Sequence, residues 1–187
     1  MAGFSREVAH RVFARELHDT TLSLEKDSED MYAPQYTLTP TGAKVNRLLV
    51  VGTLTEVDNI GNDVDYWRGR IVDPTGTFFV YAGQYQPEAA AALSEMELPS
   101  FVAVVGKAHI YEAEDGKITT SVRPESIKVV DKDVRDRWVL DTAKRTLERL
   151  GAMDRDEWSK KALEHYSIDL NEYVELAKES LSELQDK

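Results

Sequence analysis

The segment "RGRIVDPTGTFFVYAG", Arg68 to Gly83, constrains the fold more than any other stretch of the chain. On both sides of "DPTG" (Asp73 to Gly76) apolar residues recur at every second position, the pattern of a strand with one face in a core. "DPTG" itself, with Pro74 at its second position, is a strong turn signal. The two strands therefore form a hairpin. Its pleat sends an aliphatic set one way and a set of arginines and aromatic rings the other, in a chain of 187 residues whose formal net charge is -11.

The neighbouring segments extend this hairpin into a closed set. "NRLLVVGTLTEV" (46–57) reads as a strand bent at Gly52, and "NIGND" as the turn that follows it. "QPEAAAALSEM" is a short helix with a proline near its start. "SFVAVVGKAHIYEAEDGKITTSVRPESIKVV" gives two more strands around the turn "EDGK". Strand, strand, strand, short helix, strand, strand is the order of an OB-fold, a five-stranded Greek-key barrel. The fold class is thus mainly β with α: a five-stranded OB-fold barrel over 44–131, an N-terminal helix and extended arm over 1–43, and C-terminal helices over 132–187.

The flanks are predicted from helical spacing. Val8, Val12, Phe13 and Leu17 in "SREVAHRVFARELH" mark an amphipathic helix over 5–18, with Ser5 as its N-cap. Polar residues, Pro34 and Pro40 make 19–41 an extended arm or loop. Three helical patterns follow the barrel, the first running through Val134, Trp138, Ala143, Leu147 and Leu150 and stopping at Gly151. "DRDE" (154–157) and "DLNE" (169–172) resemble capping boxes that start the other two.

The barrel must fill its interior, which assigns faces. Trp67, Gly69 and Ile71 point inward on the second strand, Phe78, Val80 and Ala82 on the third, and Val104, Gly106, Ala108 and Ile110 on the fourth. Arg68, Arg70, Phe79, Tyr81, Lys107, His109 and Tyr111 then face out, and Arg123 joins them from "SVRPE", a segment that equally fits a strand-end turn at Pro124. Rings interleaved with cations form a platform on which bases of single-stranded nucleic acid stack for about 1–3 kcal/mol each while phosphates meet Arg and Lys. A competing reading has Phe79 and Tyr81 covered by the arm or the helices, and Arg68, Arg70, Lys107 and Arg123 as solvated charges.

Charge sets limits on that platform. From Lys44 to Asp131 eight basic residues stand against thirteen acidic ones, a balance of -5, so any positive strip lies on a negative body. Such acidity suits a halophile-like surface, where screening weakens long-range steering and binding depends on close contact. Several other chemistries are missing. The chain has no cysteine, which excludes disulfides, thiol nucleophiles and cysteine-rich zinc sites, and its histidines (His10, His18, His109, His165) show no metal-binding spacing. No phosphate-cradling glycine loop and no paired catalytic carboxylates are present, so no enzyme, cofactor or metal is expected. The charged N-terminus and the lack of long apolar runs give the expectation of a cytoplasmic, soluble protein.

The strings "NRLLVVGTLTEV", "WRGRIVDPTGTFFVYAGQYQPEA", "FVAVVGKAHIYE", "SVRPESI" and "RDRWVLDTAKRTLERL", with "REVAHRVFARELHD" and "APQYTLTPTG" before them, resemble the archaeal RPA-associated proteins, those of halophiles especially. The resemblance spans about residues 5–150. It implies an OB-fold subunit working beside an RPA-type single-stranded-DNA-binding protein in replication, recombination and repair, similar to the middle subunit of the RPA heterotrimer. By that similarity Tyr111 matches a base-stacking aromatic on strand four, and the second stacking position falls near Gly83 and Tyr85 without a clean match. The helix carrying Trp138, Leu147 and Leu150 matches an assembly helix facing a partner, so a hetero-oligomer is implied. The zinc ribbon of the large RPA subunits has no counterpart here. Two other functions stay open: a protein-interaction barrel with little DNA affinity of its own, and RNA in place of DNA.

Overall fold

A computed structural model describes residues 7–26 and 29–185. Two-residue strands β1 (Leu22–Ser23), β2 (Thr37–Leu38) and β3 (Lys44–Val45) make a small antiparallel sheet beside the barrel. The barrel closes in the order β4 (Arg47–Asn59), β5 (Trp67–Asp73), β6 (Gly76–Ala82), β8 (Ile118–Val129), β7 (Ser100–Glu112), with helix α2 (Pro87–Glu95) between β6 and β7. β6 and β8 pair in parallel and every other seam is antiparallel. This is the OB-fold connectivity that the hairpin and turn signals require.

β4 serves two neighbours. Arg47 to Leu54 pair with β7, and Thr53 to Asn59 pair with β5, with a bulge between Leu54 and Glu56. Gly52 sits where the strand bends from one to the other; a Cβ there would lie 2.5 Å from the Val72 carbonyl oxygen. The inner face is filled by Leu48, Val50, Leu54, Ile71, Phe78, Val80, Val102, Val104 and Val122, all buried, with Ile71, Phe78, Val80 and Val104 inside as alternation predicts. Ala108 and Ile110, placed in the interior by alternation, are only half-buried because β7 runs past the end of the barrel there.

The N-terminal helix is far shorter than its apolar spacing predicts. Only Ala14–His18 (α1) is helical, Val8 is 80% exposed, and the proposed cap Ser5 lies outside the described residues. The residues before α1 are extended because the first half of β4 has no strand on its second side. His10 N–H donates to the Arg47 carbonyl at 2.8 Å, and Leu49 N–H donates to the His10 carbonyl at 3.0 Å. Satisfying those edge groups outweighs the weak helix preference of a short segment.

α1 has no cap of its own, and the "DPTG" turn supplies one. Asp73 Oδ2 accepts the Ala14 N–H at 2.8 Å, and Thr75 Oγ1 accepts the Arg15 N–H at 3.0 Å. The other Asp73 oxygen holds the turn, accepting from Thr75 N, Thr75 Oγ1 and Gly76 N at 2.7–3.0 Å. Burial pushes the Asp73 carboxyl above the usual carboxylate range, and these four donors pull it back.

Three helices complete the fold: α3 (Lys132–Gly151), α4 (Glu157–His165) and α5 (Leu170–Gln185). Asp131 caps α3 through the Val134 N–H, and α3 ends at Gly151 as its sequence predicts. The cap of α4 is Asp156 with Ser159 in a reciprocal box, two positions after the expected one; Asp154 instead takes a positive φ of 73° in the preceding turn. At the start of α5 the Asp169 side chain accepts the Asn171 N–H, two residues on, where "DLNE" predicts a capping box.

Trp138 does not face a partner. It is 3% exposed, packs edge-on against Phe13 and Phe78 at 5.8 and 6.3 Å, and donates its indole N–H to the Leu49 carbonyl at 2.8 Å. Leu147 packs on the same core and Leu150 is half-buried, so the apolar side of α3 serves its own barrel. The extended arm is fixed by α4: Tyr166 Oη accepts the Thr21 and Leu22 N–H groups, and the Lys44 ammonium lies 4.4 Å from the ring centres of both Tyr36 and Trp158.

Two outcomes are expected. Asp73→Ala should lower unfolding stability by about 1–3 kcal/mol in a urea titration, since it strands buried donors of the turn and of α1. Trp138→Ala should cost about 3–5 kcal/mol in the same measurement, and Trp138→Phe less, because the ring fills the core.

Candidate nucleic-acid interface

Register lines the outward residues up in transverse rows. Asp58, Arg68 and Tyr81 are successive partners across β4, β5 and β6. Val80 is the parallel partner of Val122, which puts Tyr81 beside Arg123 on the outer surface. Arg123 is opposite Lys107, and Lys107 is opposite Arg47. One belt, Asp58–Arg68–Tyr81–Arg123–Lys107–Arg47, therefore runs round the barrel. In the next row Glu56, Arg70 and Phe79 are partners, and Ser121 is the partner of His109. Tyr111 lies one outward position beyond His109 on β7.

The structure thus brings Arg68, Arg70, Phe79, Tyr81, Lys107, His109 and Arg123 onto adjoining strands, with Tyr111 at the far end. The rings are accessible: Phe79 is 37% and Tyr111 58% exposed. Tyr81 is half-buried because Tyr66 stacks on it, the ring centres 5.8 Å apart and the planes at 20°. Tyr66 lies on the loop before β5, where period-two alternation names no stacking partner. "SVRPE" lies inside β8 and forms no terminal turn. Pro124 sits at a register shift opposite Gly106, where a Cβ on Gly106 would fall 2.3 Å from the Arg123 carbonyl oxygen. The bulge lets proline into a paired strand and leaves Arg123 exposed.

The cations divide into two kinds. Arg68 bonds Asp58 at 3.0 Å and Arg70 bonds Glu56 at 3.3 Å, so these two arginines are neutralised by β4. Arg47, at the start of β4, is paired with Glu125 at 2.9 Å. Lys107 and Arg123 oppose each other directly, and among the described residues neither has a carboxylate within ion-pair distance. Like charges at such a pair are mutually repulsive.

Arg123 Nη2 and His109 Nε2 are 3.2 Å apart. Guanidinium nitrogens cannot accept, so the imidazole nitrogen must be the acceptor and the ring neutral. Burial, and then the charge of Arg123, hold His109 below the ordinary histidine range.

A groove of about 730 Å³ lies between α1 and the β5–β6 face, lined by Arg15, His18, Arg68, Arg70 and Phe79. Two further hollows, of about 440 and 570 Å³, flank the β7–β8 ridge and share Lys107 and Arg123. Among the described residues no group of three or more His, Asp or Glu is placed to hold a metal ion, and no helix is long and apolar enough to cross a membrane.

No protein-family model matches the sequence, and no curated protein matches it. Solved structures are similar at low identity. An OBody, AM3L15, bound to hen egg-white lysozyme is 14% identical with a TM-score of 0.41, over 59% of this chain and 94% of that one. The mitochondrial single-stranded DNA-binding protein Rim1 of S. cerevisiae is 18% identical with a TM-score of 0.36, over 46% of this chain and 95% of that one. Asparaginyl-tRNA synthetase from Pyrococcus horikoshii is 14% identical with a TM-score of 0.38, over 56% of this chain and 30% of that one. The strand order and register of the barrel itself define the OB-fold here.

Proposed function

We propose that the chain is a non-enzymatic OB-fold subunit that binds single-stranded DNA on the outside of its barrel and serves an archaeal RPA-type protein in replication, recombination and repair. The observation that carries the DNA reading is the row Tyr81–Arg123–Lys107, in which two cations without carboxylate partners adjoin a stacked pair of tyrosines. A phosphate between Arg123 and Lys107 relieves their repulsion, while Phe79, Tyr81 and Tyr111 offer ring faces to bases. Arg68 and Arg70 contribute as ion pairs whose carboxylates a phosphate must outcompete, so their share is smaller. The non-enzymatic reading is supported by Asp73, the buried carboxylate with a raised pKa, whose oxygens are occupied by structural donors. The RPA association and the hetero-oligomer rest on the ordered likeness of sequence strings described above. They do not rest on Trp138, which the core takes.

A second reading, a protein-interaction barrel with little DNA affinity, is favoured by the net charge of -11 and the neutralised arginines. Fluorescence anisotropy with labelled oligo-dT separates the two. Under the DNA reading the full chain binds, and Phe79→Ala with Tyr81→Ala weakens binding by about tenfold. Absence of binding by the wild-type chain at low salt, with retention of an RPA-type protein on a column, would favour the second reading. Removing Lys107 and Arg123 together should flatten the dependence of log affinity on log salt by about 0.7 per lost phosphate contact, whereas Arg68→Ala should change it less.

Affinity should also rise as pH falls. Burial and the charge of Arg123 hold free His109 neutral to below the ordinary histidine range, and a bound phosphate favours the protonated imidazole, so lowering the pH adds a charge beside the bound strand. Titrations at about pH 8 and about pH 5.5 should show tighter binding at the lower value, and His109→Gln should remove the difference.

A further inference from the structure

Two tyrosines outside the belt stand on either side of its unpaired cations. Tyr85, on the loop between β6 and α2, is 84% exposed and lines one of the hollows against the β7–β8 ridge. Tyr32, on the extended arm, is 89% exposed and lines the other together with Met31. Lys107 and Arg123 line both. Neither ring has an aromatic neighbour among the described residues, and burial does nothing to hold either in place. A tyrosine left this exposed presents a large apolar face to water, and two of them at the ends of a cationic crossing match the alternation of base and phosphate in an unpaired strand. Duplex DNA hides its base faces and offers such rings nothing.

We infer that single-stranded DNA crosses the β7–β8 ridge between Tyr85 and Tyr32, with phosphates on Lys107 and Arg123 and a base against each ring. The strand's course is then longer than the β5–β6 face, and the arm is part of the binding surface. Charge supports this course over one confined to β5–β6: the arginines of that face are already paired with Asp58 and Glu56, whereas among the described residues no carboxylate is within ion-pair distance of the ridge cations, Glu88 and Glu125 lining the Tyr85 hollow without bonding them. The arm is held for the task by α4, through Tyr166 on Thr21 and Leu22 and through Lys44 between Tyr36 and Trp158. This inference rests on the DNA-binding reading proposed above.

The test compares the full-length wild type with Tyr32→Ala/Tyr85→Ala and with Phe79→Ala/Tyr81→Ala, using anisotropy on a labelled oligo-dT of about 16 nucleotides. Tyr32 and Tyr85 are so exposed that their removal should leave the melting temperature unchanged. The expected result is a loss of about tenfold for Tyr32→Ala/Tyr85→Ala, together with ultraviolet cross-linking of a halogenated-uracil oligonucleotide to peptides containing Tyr32 and Tyr85. Wild-type affinity in that variant, alongside a loss in Phe79→Ala/Tyr81→Ala, would overturn the ridge crossing and leave the DNA reading intact. Failure of the wild-type chain to bind the oligonucleotide at low salt would overturn both.

Discussion

The first half of β4 is hydrogen-bonded to β7 on one side and has no strand on the other, and this open edge organises most of the molecule. Backbone N–H and C=O groups left dry and unpaired are costly, so something must close the seam. His10 does so by exchanging hydrogen bonds with Arg47 and Leu49, and Trp138 does so by donating to the Leu49 carbonyl. Both solutions recruit outlying segments into the core: the segment before α1 brings Val12 and Phe13, and α3 brings Val139 and Ala143. The ring of Trp138, lodged against Phe13 and Phe78, then fixes the distance between arm, barrel and helix. Asp73 repeats the theme from the opposite end of the hairpin, since one carboxylate shapes the turn and caps α1 at the same time.

The same closure leaves the outer face of the barrel for charge. An acidic body need not be acidic everywhere, and here the carboxylates sit where they cancel particular cations: Asp58 against Arg68, Glu56 against Arg70, Glu125 against Arg47. Exposed pairs of this kind contribute little to stability, about 0–1 kcal/mol each. Their larger effect is to decide where positive potential remains. It remains at Lys107 and Arg123, two strands from the arginines that dominate the sequence of the hairpin.

Much of this is legible in the sequence. The period-two alternation around "DPTG" sets the faces of β5 and β6, and "EDGK" marks the β7–β8 turn, where Gly116 has a φ of +83°. The ion pairs are not legible in the same way: a register centred on "NIGND" (59–63) sets Asp58 opposite Val64, whereas the connection runs on to Tyr66 and brings Arg68 opposite Asp58 and Arg70 opposite Glu56. What the pattern did not carry was long-range competition. Val8, Val12 and Leu17 have helical spacing, yet only tertiary structure shows that an open strand edge lies within reach of His10. Trp138 has the look of an exposed anchor on an amphipathic helix, and nothing local shows that the groove it fills belongs to its own chain. The half-buried state of Tyr81 depends on Tyr66, a loop residue to which alternation assigns a face but no neighbour.

The opposed pair Lys107 and Arg123 is the place where the barrel departs from electrostatic economy. Glu125 is two residues from Arg123 and neutralises Arg47 instead, because the bulge at Pro124 shifts the register and turns it toward that neighbour. Pairing the ridge with acids would have been as simple as it was for Arg68, at a gain of a few tenths of a kcal/mol. Leaving it unpaired keeps a small repulsion in the free protein that any bound phosphate removes, so the difference between the free and bound states is larger than attraction to one cation alone supplies. The two side chains start from adjacent strands whose backbone spacing is fixed by the ladder. Under the DNA-binding proposal, a phosphate on this pair would set the height of the strand on the barrel, from which Tyr81 and Tyr111 would meet bases.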